Sequence, residues 1–174
     1  LKFDASSRLA SLFLVVLATS ARAENSLCSA SEQALFSCKT SGGRSISICA
    51  VSSAPGRSQL SYRFGTIRKL ELQLSADTGA SPVVVEGNQS QGARGYDHFI
   101  RFRSGDYSYT VRDYWGGCPG PGQARCPRES SFAGVLVAKS GRIIGKNRCM
   151  ESISGMAPDA LSKLSVPVSE DWPN

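Results

Sequence analysis

The sequence predicts an all-β fold, an antiparallel β-sandwich of about eight short strands that is stabilised by disulfides and has little helix. Two observations carry this reading. Short runs rich in β-branched and aromatic residues recur along the chain, separated by Gly, Ser, Pro and Asn. All six cysteines follow an export signal, and an even cysteine count in an exported chain points to disulfide bridges.

The first element, residues 1–23, reads as a signal peptide. Lys2 and Arg8 precede an apolar stretch from Leu9 to Ala18, and small residues at Ala21 and Ala23 form an A-x-A type cleavage site. The apolar stretch is about half of the ~20 residues a membrane span requires, so no membrane insertion is expected. Cleavage near Ala23 would release the protein to the periplasm or the medium. Residues 24–174 then form one domain, with 17 basic against 13 acidic residues, a formal +4. No run of Lys and Arg is long enough to follow a phosphate backbone, so no nucleic-acid partner is expected.

In the domain, "QALFSCK", "RSISICAV", "QLSYRFG" and "RKLELQL" come first. The last alternates most clearly, with Leu70, Leu72 and Leu74 on one face and Lys69, Glu71 and Gln73 on the other. "SPVVVEG" follows, then "DHFIRFR" and "YSYTVRDYW" around the turn "SGDY". If Gly105 and Asp106 are the central turn residues, Ser104 faces Tyr107, Arg103 faces Ser108, Phe102 faces Tyr109, Arg101 faces Thr110 and Ile100 faces Val111. One face is then apolar, and Arg101, Arg103, Ser108 and Thr110 on the other suit water. A slip of one residue would mix the two faces. Ser104 and Tyr107 become the closing pair at a hairpin tip.

Residues 116–131, "GGCPGPGQARCPRESS", read as a long loop because Pro119, Pro121 and Pro127 forbid a central strand. "FAGVLVAK" and "RIIGKNRCM" are the last strands, "APDALSKL" is a short helix candidate, and the tail "SVPVSEDWPN" reads as irregular. The sequon at Asn88 suggests a surface loop. Of Tyr114 and Trp115, one is expected in the core and one at the rim.

Six cysteines allow fifteen pairings. Two have a physical preference. Cys38 would lie opposite Cys49 if the hairpin register brings their Cα atoms within about 6 Å, and Cys118 with Cys126 would staple the Pro/Gly loop. Cys28 with Cys149 would then tie the start of the domain to a late strand. A metal site fails on spacing, since there is no C-x-x-C and His98 is the only histidine. No cofactor is implied.

The order of "FSCKTSGGRSISICA", "LSYRFGTIRKLELQL", "IRFRSGDYSYTVRDYW" and "AGVLVAKSGRIIGKNRC" resembles bacterial periplasmic inhibitors of invertebrate-type lysozyme and their secreted relatives. The resemblance covers most of residues 24–174. It implies a β-sandwich whose S-G-x-Y loop blocks the cleft of a lysozyme-like glycoside hydrolase. The matching positions are Ser104, Gly105 and Tyr107, with the two hydroxyls entering the cleft and hydrogen-bonding its polar or ionised groups. The long loop with its own cysteine pair departs from the family. Arg125 and Arg128 on it would pair with carboxylates of a muramidase cleft. A second reading makes the chain a periplasmic immunity or binding protein for another effector or envelope component, with that loop as the contact.

An enzyme is not expected. The register sets His98 opposite Asp113, a base and its orienter, but no G-x-S-x-G or S-x-x-K supplies a nucleophile and bridged cysteines leave no thiol. A local His–Asp ion pair is the simpler reading.

Overall fold

The computed structural model describes residues 26–54, 56–78, 82–116 and 131–173, and of residues 151 and 152 the backbone alone. The segment read as a signal peptide lies outside the described residues, as do Cys118, Cys126, Arg125, Arg128 and the rest of 117–130.

The described chain is antiparallel β-structure with one short helix. In order the elements are β1 (Gln33–Thr40), β2 (Ser45–Ala54), β3 (Arg57–Thr66), β4 (Lys69–Asp77), β5 (Val84–Gly92), β6 (Gly95–Ser104), β7 (Tyr107–Gly116), β8 (Ser131–Lys139), β9 (Arg142–Ser154) and α1 (Ala160–Lys163). Nine strands, against about eight expected, form one sheet in the order β4-β3-β2-β1-β9-β8-β7-β6-β5. β9 makes this a sandwich rather than a flat sheet. Its first half pairs with β8 as far as Arg148, opposite Gly134, and from Cys149 it pairs with β1 instead. The strand thus crosses between two four-stranded layers, which fold onto each other without closing into a barrel.

Alternation explains why the layers meet. Ile46, Ile48, Leu60 and Tyr62 from one layer and Ile100, Phe102, Val111 and Val135 from the other are nearly inaccessible and belong to one core. The Tyr62 ring lies 6.1 Å from Phe102 and 5.6 Å from Tyr109, which joins the layers at the centre. Burying one such large side chain contributes about 2 to 3 kcal/mol, so this shared face dominates the stability. On β4, Leu72 and Leu74 pack against the core while Leu70 is half exposed at the edge.

The outer faces are not simply solvated. Residues 26–32 lie over β2 and β3, where the Leu27 amide donates to Ser47 Oγ at 3.0 Å and the Arg63 guanidinium holds both Glu32 carboxylate oxygens. The tail covers the outer face of β5 to β7. Gly87 donates to Pro167 O and Ser169 donates to Gly87 O, both at 2.9 Å, forming a parallel bridge on the edge of β5. A Cβ at Gly87 would stand 2.5 Å from Phe99 O and 2.9 Å from Leu161 Cδ1, so glycine lets β5 lie close against β6 and α1 here. Beyond the bridge, Trp172 meets Phe99 edge-on at 5.2 Å.

The tail corrects three expectations. Arg101 and Thr110, read as water-facing, are buried beneath it. Arg101 donates to Thr110 Oγ1, Glu86 Oε1 and the Asp171 carbonyl, so its charge is paired under cover. Asn88 sits within β5, not in a loop, and its amide donates to Ser169 O at 2.8 Å.

The bridges differ from the expected pairing: Cys28 joins Cys49, and Cys38 joins Cys149, with Cα separations of 5.5 and 5.6 Å. The cause is register. Cys38 pairs with Ile46 and Cys49 with Ala34, which sets the two cysteines several residues apart along the ladder. They also point to opposite faces. Cys38 therefore reaches sideways to β9, and Cys49 reaches outward to the covering segment that carries Cys28.

Candidate functional site

The hairpin joining β6 to β7 has the register read from the sequence, pair by pair from Ser104–Tyr107 back to His98–Asp113. Gly105 has φ +56° and Asp106 does not have a positive φ, which is the pattern of a type II′ turn. That sign of φ at the first turn position favours Gly over any side-chain-bearing residue. Alternation puts Ser104 and Tyr107 on the core-facing side, beyond the last packed pair, Phe102 and Tyr109.

The tip is braced from three sides. The Ser140 amide, in the neighbouring β8–β9 turn, donates to Asp106 O at 2.8 Å. The Lys139 ammonium stands 5.3 Å from the centre of the Tyr107 ring. Tyr107 also stacks with Tyr109 at 6.5 Å, and Tyr109 with Tyr62 at 5.6 Å, so a file of three rings runs from the tip into the core. Tyr107 is nevertheless 38% exposed. No hydrogen bond among the described residues engages the Ser104 hydroxyl or the Tyr107 phenol. The arrangement is a rigid protrusion offering two hydroxyl groups, each able to donate and accept.

On the opposite face of the same hairpin lies a cavity of about 710 Å³. Ser108, Thr110 and Leu136 form its floor, Asp171 and Trp172 one wall, and Arg103 its cationic rim. Arg103 is paired with Glu86 but half exposed. Sequence reasoning missed this groove, because the tail that forms its wall carries no periodic pattern.

Of the other predicted site residues, Cys118, Cys126, Arg125 and Arg128 are outside the described residues. His98 does face Asp113, yet not as an ion pair. It is 3% exposed, and neither ring nitrogen has a hydrogen-bond partner among the described residues. The Asp113 carboxylate instead accepts from the Tyr96 phenol at 3.1 Å and from the Met156 amide. Burial pushes Asp113 above the usual carboxylate range, and the Tyr96 phenol is raised by burial and by Asp113 beside it. Neither Tyr114 nor Trp115 enters the core. Trp115 is 48% exposed, and Tyr114 is half-buried with the Arg112 guanidinium 5.1 Å from its ring centre. Among the described residues no group of His, Cys, Asp and Glu could hold a metal ion.

Comparison of the chain with protein-family models, with curated proteins and with solved structures found no match.

Proposed function

We propose that the protein is exported, by the signal peptide read at residues 1–23, and inhibits a lysozyme-like glycoside hydrolase by inserting the Ser104–Tyr107 turn into its substrate cleft. The observation that carries this reading is the braced tip. Two hydroxyls without a hydrogen-bond partner among the described residues project from a turn held by a neighbouring turn, a cation and an aromatic file. Such a group loses little freedom on docking, so its hydrogen bonds to polar or ionised cleft residues are retained as affinity. The two bridges in the described fold fit an oxidising compartment. The motif resemblance supplies the partner class.

The test is a lysozyme inhibition assay on the oxidised protein from Glu24 onward, run against invertebrate, chicken and goose types. Inhibition selective for the invertebrate type is expected. The Ser104→Ala/Tyr107→Ala variant should bind about 100-fold more weakly or worse, two charge-assisted hydrogen bonds being lost at about 1.5 to 3 kcal/mol each. It should still unfold cooperatively, with a modest fall in melting temperature from the lost Tyr107–Tyr109 stacking. Full inhibition by the double variant would exclude the turn as the inhibitory element.

A further inference from the structure

A second site lies away from the hairpin tip, where β9 leaves β8. Their pairing ends at Gly134–Arg148, and Cys149 already pairs with β1. The first three residues of β8, Ser131 to Ala133, thus have no strand partner on that side among the described residues. The split opens a cavity of about 460 Å³, within the usual range of small-molecule pockets. Tyr96, Asp113 and Trp115 line it from the core-facing side, and Phe132 and Arg148 from the other.

The lining combines aromatic faces with a few converging polar groups. Trp115 is the largest exposed ring among the described residues, and it lies 6.5 Å from Tyr96 at a tilt of 34°. The Asp113 carboxylate, 6% exposed, accepts from Tyr96 and Met156 and forms the acidic part of the cavity lining. Arg148 donates to the Ser131 carbonyl at 3.0 Å and has donors to spare.

Charge decides the ligand class. Lys146 and Arg148 both stand against the Phe132 ring, at 4.9 and 5.3 Å, so a cationic guest would find that ring already engaged and a guanidinium beside it. An anionic guest would meet Asp113. A neutral molecule with apolar faces and several hydroxyls meets neither conflict: its C–H face lies on the indole while its hydroxyls donate to the carboxylate and accept from the guanidinium. We infer that this cleft binds a neutral saccharide, with Trp115 as the stacking platform and Asp113 and Arg148 as the hydroxyl-recognising groups. The site is separate from the Ser104–Tyr107 turn, and it stands or falls independently of the inhibitory reading.

The test is NMR titration of the oxidised protein, with the indole N–H signals of Trp115 and Trp172 as separate reporters. The probes are cellotriose, maltotriose and N-acetylchitotriose, with choline and glucuronate as the charged comparisons. Saturable shifts at Trp115 and not at Trp172 are expected for at least one neutral trisaccharide, with Kd at or below about 1 mM. Trp115→Ala should weaken binding about tenfold or more, followed on backbone amides, and Trp115→Phe should restore most of it. The Ser104→Ala/Tyr107→Ala variant should bind unchanged. Absence of saturable shifts with all three trisaccharides overturns the inference, as does stronger binding of choline or glucuronate, or shifts centred on Trp172.

Discussion

At the scale of single residues, His98, Asp113 and Tyr96 form a polar cluster at the end of the β6–β7 hairpin away from its tip. Two predictions follow from their differing satisfaction. His98 is enclosed with neither ring nitrogen bonded to any described residue, so it bears a desolvation cost without a compensating bond. His98→Leu is expected to raise the stability to urea unfolding by about 1 kcal/mol; a loss of similar size would mean that the imidazole is engaged after all. Asp113 acts through pH. Burial raises its folded pKa, so the folded chain holds that proton more tightly than the unfolded one. The resulting stability is fully present below the ordinary carboxylate pKa of 3.8 and is lost as pH rises through the folded value. Asp113→Asn keeps an acceptor for the Tyr96 phenol and removes the titration. The stability of this variant relative to the parent should therefore climb as pH rises above the ordinary carboxylate value and level off once Asp113 has lost its proton in the folded parent. A relative stability that falls with pH would reverse the assigned direction.

At the scale of elements, the tail is the segment whose role departs most from its sequence. It lacks an alternating pattern and forms no strand of its own, yet it covers Arg101 and Phe99 and bridges the β5 edge at Gly87. A chain ending at Leu164 should lose about 3 kcal/mol or more, from the packing of Trp172 and the carbonyls that satisfy Arg101 and Arg112. Hydrogen exchange should quicken at the Gly87 amide well before it does at the core of β6. Equal protection at both would show that the tail is not a separate layer. The contrast with the β6–β7 hairpin marks what the sequence can carry. There, ten residue pairs are fixed by local alternation and one Gly-containing turn, so the register is legible. Arg101 and Thr110 looked solvated because their cover lies some sixty to seventy residues away, and a contact of that kind leaves no local pattern. The groove beside the hairpin was illegible for the same reason. The closing pair Ser104–Tyr107 needed only the register.

At the scale of the whole molecule, the two bridges restrain different things. Cys28–Cys49 closes 21 residues and pins the N-terminal segment to the outer face of β2, whereas Cys38–Cys149 closes 111 residues and ties β1 to the strand that crosses between layers. Their loop lengths correspond to about 3 and about 5 kcal/mol in the chain-entropy model. Position adds to the difference. Cys38 is fully buried within the shared core, so its bridge also fills space that Ala would leave empty, while Cys28, in the covering segment, and Cys49 beneath it lie outside that cluster. The Cys38→Ala/Cys149→Ala pair should therefore cost more than Cys28→Ala/Cys49→Ala, by about 2 kcal/mol or more in guanidinium unfolding. The losses should also differ in kind. Without Cys28–Cys49 the first segment should exchange faster while the layers remain packed, because Arg63 and Glu32 lie on the outer face. Without Cys38–Cys149 the β1–β9 junction should loosen, and with it the angle between the layers on which the Tyr107–Tyr109–Tyr62 file depends. The inhibition proposed for the hairpin should then weaken in the second pair and persist in the first. The reverse order would place the mechanical support of the tip in the N-terminal segment.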